Sequence, residues 1–419
     1  MNILIITPYL PWPLKTGGNA AMFSTIRCLA DDHRFTLVCP ISESQLEDAN
    51  TLKLELPFLD LRAVVCSEAK SSGNLFRRFV NRSYRWILRK VEPAPVCESL
   101  WDPFAPVQSE LVIAIAAELE KKPDCCQVEF AEMMSIVSLL PKSIPKIFVH
   151  HQIHFIYNNL TRIDPLTSAY VRYLVARQKV IEIAHLQEYS AVISFSKDDR
   201  MTLEAEATLP PVYDSGFPVP ADVGITSDVP TEFNRELCYL GSQEHLPNRE
   251  GLDWLLAEIW PKITAKLANI ELVVFGTWSD DWKKRAELCP GKITFKGFVP
   301  DLGTALRGGI LVVPLRVGSG IRTKILAGLA QGLPCVATTI AAEGLPTGDE
   351  GGIIRADTQT AFVDAVVDLA MRPDYWKLRA AAGPEYIKNF HSPEAVRRRR
   401  NEIYQAVMKI HDPIDSLRL

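Results

Sequence analysis

Short apolar runs of strand length alternate with helix-length segments along almost the whole chain, and this alternation restricts the fold more than any other feature. Strand-like runs lie at Asn2 to Thr7, Phe35 to Cys39, Gln127 to Phe130, Lys146 to His150 and Ala191 to Phe195. They resume at Leu237 to Leu240, Glu271 to Phe275, Ile293 to Phe295, Ile310 to Pro314 and Pro334 to Thr338. Amphipathic segments between them predict parallel sheets covered by helices, the α/β class.

The length of the chain and a cluster of prolines and glycines divide this pattern into two domains. The chain has 419 residues, which suits two domains better than one. Prolines and glycines cluster between Leu209 and Glu232, the best candidate for a linker. We therefore expect one domain over residues 1–215 and a second over residues 216–385. A helical segment over residues 386–419 is expected to pack back on the first domain.

Composition excludes several classes of protein. The net charge of -4 gives no overall attraction to nucleic acid. Pro8, Pro11 and Pro13 interrupt the apolar N-terminus, and no apolar stretch approaches the ~20 residues that span a bilayer. The nine cysteines form no C-x-x-C pair, which favours free thiols in a reducing compartment. We expect a cytoplasmic protein, at most attached to the inner face of the membrane.

A glycine-rich turn in the second half indicates an anion site. Gly318, Ser319 and Gly320 separate a strand from a helix that carries Arg322 and Lys324 in its first turn. Backbone amides, the helix dipole and two cations would converge there on one anion, and a diphosphate suits such a place. Cations at a helix N-terminus oppose the dipole unless an anion neutralises them, which argues against a purely structural turn.

The first half has its own glycine turn, which includes Gly17 and Gly18 before the first predicted helix. It lacks the G-x-G-x-x-G spacing and the acidic residue of a dinucleotide site, which disfavours a dehydrogenase. Two interpretations stay open: a close approach of the backbone to a ligand, or a strand-to-helix turn that needs positive φ.

An ordered set of motifs in the second half resembles the retaining GT-B glycosyltransferases of family 4, also called glycosyltransferase group 1. The set comprises Tyr239-Leu240-Gly241-Ser242, Pro247-Asn248, Leu272 to Gly276, Ile293 to Val299, Pro314 to Gly320, Arg322, Lys324, Gly332, Pro334 and Glu343-Gly344-Leu345. The first half matches only at Gly17-Gly18, at Gln127-Val128-Glu129 and near residue 151.

The resemblance implies two Rossmann-like, doubly wound domains that face each other across a cleft. The second domain would hold a nucleotide-sugar donor, and the first a glycan or lipid-linked acceptor. It implies sugar transfer with retention, in cell-surface polysaccharide or glycolipid biosynthesis. No metal or other cofactor is expected, because basic side chains and helix N-termini neutralise the diphosphate.

Individual roles follow from the same resemblance. Arg322, Lys324 and the amides of Gly318, Ser319 and Gly320 would bind the diphosphate. Gly241, Gly17 and Gly18 would let backbone approach the donor, and the Val299 backbone would lie near the nucleobase. His151 would lie at the cleft near the donor sugar.

Histidines and acids of the first half supply the catalytic candidates. His150, His151 and His154 follow a strand, and metal binding is one interpretation. Adjacent residues of an extended chain point to opposite sides, so His150 and His151 would not share a ligand. We take His151 as the catalytic candidate, against a polar strand end that faces water. Glu129 is a candidate because ligands lie at the carboxyl ends of parallel strands, although a capping role is the alternative.

Two departures from the family leave alternatives open. Ala327 stands where relatives carry the second of two glutamates, the one that holds the ribose, and alanine accepts no hydrogen bond. The linker has Asp214-Ser215-Gly216-Phe217 in place of an Asn-Gly-Val turn. The alanine leaves a degenerate, non-catalytic binding protein as one alternative. A nucleotide-sugar epimerase of the same fold is the other, although it would want catalytic carboxylates in the cleft and Ala327 counts slightly against it.

Leu75 to Val91 has apolar residues at helical spacing, five arginines and a lysine on its other faces, and no acid. Such a helix suits an anionic membrane surface, or it packs its apolar face on the first domain. Either arrangement is compatible with a lipid-linked acceptor.

Overall fold

The computed structural model describes residues 1–14, 16–66, 107–156, 169–206, 208–220, 223–299, 301–318, 320–348 and 350–411. The basic segment Leu75 to Val91 and Ser319 lie outside these residues. None of the described helices is long and apolar enough to cross a membrane. The eight described cysteines are all free.

Within the described residues, the strands form two parallel sheets. The first contains β1 (Asn2–Ile6), β2 (Arg34–Ile41), β3 (Asp60–Val65), β4 (Cys125–Glu129), β5 (Lys146–Val149), β6 (Ala191–Ser194) and β7 (Val212–Asp214). The second contains β8 (Glu236–Leu240), β9 (Glu271–Phe275), β10 (Lys292–Gly297), β11 (Ile310–Val313), β12 (Cys335–Ala337) and β13 (Ile353–Arg355). Their orders are β3-β2-β1-β4-β5-β6-β7 and β10-β9-β8-β11-β12-β13. The order reverses at β1/β4 and at β8/β11, and ligands bind at such switch points in doubly wound sheets.

Helices connect the strands of each sheet. The first domain has α1 (Gly17–Cys28), α2 (Leu46–Glu55), α3 (Ser109–Leu119), α4 (Ala169–Leu186) and α5 (Lys197–Glu204). The second has α6 (Leu246–Trp254), α7 (Trp260–Lys266), α8 (Asp280–Glu287), α9 (Leu302–Ala305), α10 (Thr323–Ala330) and α11 (Gln359–Met371). The helices α12 (Pro373–Phe390) and α13 (Pro393–His411) end the described chain.

Two predicted helices are interrupted in the structure. The sequence pattern predicts one helix from Arg249 to Leu267, but this segment consists of α6, a π-helical turn at Leu255–Ile259, and α7. Pro261 explains the irregularity, because proline has no N–H to donate to the preceding turn. The C-terminal segment, expected as one helical region, breaks at His391 and Ser392 between α12 and α13.

The side chains of the sheets alternate between two faces. In β1, Ile3 and Ile5 belong to one buried cluster, whereas Leu4 and Ile6 belong to another. The cluster of Ile5 also includes Val313 of β11, so one apolar core runs through both domains. This shared core holds the carboxyl ends of the two sheets opposite each other.

The last helix returns to the first domain. Helix α13 packs against α1, and the Arg397 guanidinium binds the Asp32 carboxylate through two hydrogen bonds of 2.6 Å. Asn401 donates to the same carboxylate over 2.6 Å. The helix is thereby attached to the turn between α1 and β2.

Candidate active site

The second domain contributes a cationic helix start. Helix α10 begins directly after Arg322, and the Lys324 ammonium donates to the Asn248 side-chain oxygen over 2.6 Å. Burial, and then the nearby Arg322 charge, lower the pKa of Lys324 to about 7. Two cations thus lie together at the start of a helix, where a bound anion would stabilise the charged form of the lysine.

Glycines make room for these groups. A Cβ atom on Gly318, whose φ is +123°, would lie 2.6 Å from Nη2 of Arg322. A Cβ atom on Gly241, whose φ is +151°, would lie 2.6 Å from Cγ of Asn248. Gly241 therefore lets the Asn248 side chain approach its backbone closely.

Two other predicted donor residues lie in different surroundings. The Gly320 N–H donates to the Glu343 carboxylate over 2.9 Å, so this amide is already engaged and a ligand would have to replace that contact. Val299 follows β10, is partly buried and packs against the core shared by the two domains. Its distance from a nucleobase stays a prediction.

The first domain brings Glu129 and His151 together. Glu129 ends β4 and His151 follows β5, and these two parallel strands are neighbours. The His151 Nε2 atom lies 2.5 Å from the Glu129 Oε2 atom. The imidazole ring stacks on Phe130 with 3.7 Å between ring centres and 12° between planes.

His150 points away from His151, and the acid that it contacts also holds the backbone at His154. His150 Nε2 lies 2.9 Å from Oε1 of Glu182, on the side opposite to His151. The backbone N–H of His154 donates to the same oxygen over 3.1 Å, and that of Phe155 donates to Oε2 over 3.0 Å. Glu182 therefore fixes the segment after β5. Among the described residues, no group of three histidine, cysteine or acidic side chains is placed to hold a metal ion.

The first glycine turn is not a strand-to-helix turn that needs positive φ, which was one of its two interpretations. Gly17 and Gly18 form the first turn of α1, and neither has a positive φ. The sequence pattern predicts a first helix over Ala20 to Ala30. The Thr16 hydroxyl accepts from the Asn19 N–H and caps the helix, which explains why it starts three residues earlier, at Gly17. The small size of Gly18 is needed for another reason: a Cβ atom would lie 2.7 Å from the Phe130 ring.

The two domains meet at a cavity of about 730 Å³. Its walls include Tyr9, Gly18, Glu132, His151 and Gly320. A Cβ atom on Gly320 would lie 3.6 Å from the His151 carbonyl oxygen, and one on Gly17 would lie 3.5 Å from the Thr323 methyl group. Arg322 and Lys324 are not among the cavity walls, although Gly320 and Ile321 are, so the predicted diphosphate site would adjoin the cavity rather than coincide with it.

The second domain matches a known family. Residues 234–372 match the model described as glycosyl transferases group 1. No curated protein matches the chain significantly.

Solved structures resemble the chain over almost its full length. A TarM mutant from S. aureus, crystallised with fondaparinux, alpha-GlcNAc-glycerol and UDP, has a TM-score of 0.65 at 11% identity, covering 97% of this chain and 99% of that one. Sucrose-phosphate synthase from Thermosynechococcus elongatus has a TM-score of 0.68 at 13% identity, covering 97% and 98%. Anabaena HepE in complex with UDP and glucose has a TM-score of 0.59 at 11% identity, covering 96% and 99%. The chain therefore has the two-domain GT-B fold, and its second domain is similar to the glycosyl transferases of group 1.

Proposed function

We propose that the protein is a glycosyltransferase that moves a sugar, with retention, from a nucleotide-diphosphate sugar to a glycan or lipid-linked acceptor. One observation carries the proposal. The paired cations Arg322 and Lys324 lie at the start of α10, on the domain that matches the family model. The loop before that helix reaches the His151 backbone of the opposite domain.

This arrangement suits loss of a diphosphate leaving group. Arg322 and Lys324 would neutralise the charge that develops on the diphosphate, which is the main requirement for breaking the bond to the sugar. These side chains supply the positive charge themselves, so we propose transfer that needs no metal. The acceptor hydroxyl would attack from the face that the diphosphate leaves and pass its proton to the departing diphosphate oxygen, so that the sugar keeps its configuration.

His151 and Glu129 would act on the sugar side of the cleft. The Glu129 carboxylate holds Nε2 of His151, so the opposite ring nitrogen is available to a sugar hydroxyl. Gln127 donates to the other Glu129 oxygen over 2.6 Å, which leaves the carboxylate committed to holding the histidine. Glu129 is therefore proposed as the partner of His151 and not as a nucleophile.

Ala327 bears on how the donor is held. It is 3% exposed and lies in the core shared by the domains. We propose that ribose contacts come from other residues and that the diphosphate contributes most of the affinity.

Calorimetric titration of UDP, GDP and ADP tests the proposal directly, with UDP first because TarM and HepE were crystallised with it. We expect one diphosphate to bind the wild type, and Arg322→Ala to weaken it about 10- to 100-fold, as expected for a charged hydrogen bond. If none of the three nucleotides binds, a degenerate binding protein is favoured.

A donor screen then separates transfer from epimerisation. Nucleotide sugars that bind are incubated with and without candidate acceptors, and the products are identified by NMR. A product that keeps the anomeric configuration of the donor supports retention. Formation of an epimer of the donor without any acceptor would favour the epimerase alternative.

A further inference from the structure

A continuous line of hydrogen bonds runs from the last helix to the candidate catalytic histidine. The Tyr404 hydroxyl on α13 donates to Oε1 of Gln127 over 2.7 Å. Nε2 of Gln127 donates to Oε1 of Glu129 over 2.6 Å, and Oε2 of Glu129 lies 2.5 Å from Nε2 of His151. Tyr404, Gln127 and Glu129 are 1%, 2% and 3% exposed, so water does not compete for these contacts.

Gln127, in the middle of this line, has a side-chain amide that fits in either of two orientations. The two ends of a glutamine amide have nearly the same shape, but only the nitrogen end can donate to a carboxylate. The Glu129 carboxylate, which only accepts, therefore faces the nitrogen end of Gln127, and the Tyr404 O–H donates to the oxygen end and holds the amide in that place. Burial raises the pKa of Tyr404, so its hydroxyl keeps its proton at neutral pH.

We propose that Tyr404 is a positioning residue of the transfer reaction, because its hydroxyl holds the Gln127 amide in place against Glu129 and thereby helps to position His151. The proposal rests on the proposed function of His151. With Nε2 of His151 held by Glu129, its Nδ1 atom faces α1: a Cβ atom on Gly18 would lie 3.6 Å from it. The last helix, far from the site in sequence, would thus belong to the catalytic centre.

The docking of α13 supports this role. Arg397, about two turns before Tyr404, and Asn401, about one turn before it, attach the helix to Asp32. The Tyr404 hydroxyl therefore contacts Gln127 from a part of α13 that is attached to the first domain.

The test is the Tyr404→Phe variant, which removes one oxygen atom and keeps the ring. We expect kcat to fall about fivefold, the typical effect of one hydrogen bond, with unchanged UDP affinity. In ¹⁵N-histidine-labelled protein, the ring signals of His151 should shift toward a mixture of tautomers. Gln127→Met should have at least the same effect, and adding Tyr404→Phe to it should cause no further loss of kcat, because the two act in series.

Tyr189→Phe is the matched control. Tyr189 is also buried in the first domain, and its hydroxyl donates to the Met134 carbonyl over 2.8 Å, away from His151. We expect a similar loss of thermal stability but wild-type kcat and His151 signals. Equal losses of kcat in Tyr404→Phe and Tyr189→Phe would assign Tyr404 a merely structural effect and overturn the proposal.

The two proposals fail in different ways. If the wild type turns over a donor while folded Tyr404→Phe keeps wild-type kcat and His151 signals, the positioning role is wrong and the proposed function stands. If no nucleotide sugar is turned over, the proposed function fails. The His151 ring signals then still report whether Tyr404 orients the histidine.

Discussion

The ammonium group of Lys324 lies 2.6 Å from the side-chain oxygen of Asn248, in a partly buried place beside the Arg322 charge. An amide oxygen satisfies one donor of the lysine but does not neutralise it. The site therefore keeps a positive charge that an anion could neutralise. Because the lysine loses this charge as the pH rises, nucleotide binding should depend on pH.

Nucleotide affinity should fall as the pH rises above about 7. The pKa of Lys324 is lowered from 10.5 to about 7, so the free site loses its charge in that range. A bound diphosphate favours the charged lysine, and binding should then take up a proton at about pH 8. Calorimetry of UDP in two buffers of different ionisation enthalpy measures this uptake.

Lys324→Met should abolish the proton uptake and weaken UDP binding about 10- to 100-fold. Lys146→Met is the matched control, because Lys146 is a buried lysine of the first domain that donates to the Val137 carbonyl. Proton uptake that persists in Lys324→Met would show that another group titrates.

Gly18→Ala and Gly17→Ala should differ although the glycines are neighbours in α1. A Cβ atom on Gly18 would come within 2.7 Å of the Phe130 ring, which stacks on His151, whereas one on Gly17 would make an ordinary contact of 3.5 Å with Thr323. We expect overpacking in Gly18→Ala to lower the free energy of unfolding by about 1–3 kcal/mol. The higher helix propensity of alanine would offset part of this loss. Gly17→Ala should be as stable as the wild type. Urea unfolding of both variants measures the difference, and equal stabilities would contradict the packing described for Phe130.

Gly241→Ala should weaken nucleotide binding indirectly. The added methyl group would displace Asn248, and the Lys324 ammonium would lose its hydrogen-bond partner. Gly308→Ala is the control, since Gly308 also has a positive φ of +73° but lies before β11, at the end of the sheet away from the site. UDP titration of both should show a lower affinity only in Gly241→Ala. Equal affinities would mean that Asn248 does not position the lysine.

Glu182→Gln should destabilise the first domain and disturb the segment that carries His154. The buried carboxylate accepts from His150 and from two backbone N–H groups, and an amide offers only one acceptor oxygen for them. We expect a loss of about 1–3 kcal/mol, the cost of a buried group left without its partner. Thermal unfolding measures it, with the exposed Glu188→Gln as control. A melting temperature equal to that of the control would argue against this role.

Much of the fold could be predicted because strand runs and helix-length segments are local signals. The doubly wound α/β class, the GT-B fold and the helix that begins near Arg322 all follow from such patterns and from the resemblance. Helix boundaries were less predictable, because the break at Pro261 and the start at Gly17 depend on single residues and on a cap by Thr16. Val299, Ser319 and the membrane role of Leu75 to Val91 stay predictions.

The candidate site could likewise be predicted only in part. The sequence alone determined which residue types are available: two cations beside glycines at a helix start, and Glu129 and His151 at the ends of two strands. Only the tertiary structure decided their partners. Glu343 binds the Gly320 amide, Asn248 holds Lys324, Phe130 supports His151, and Tyr404 reaches Gln127 across 277 residues of chain. Such contacts leave no local pattern, because they arise when parallel strands bring distant carboxyl ends to one edge and a shared core joins two domains.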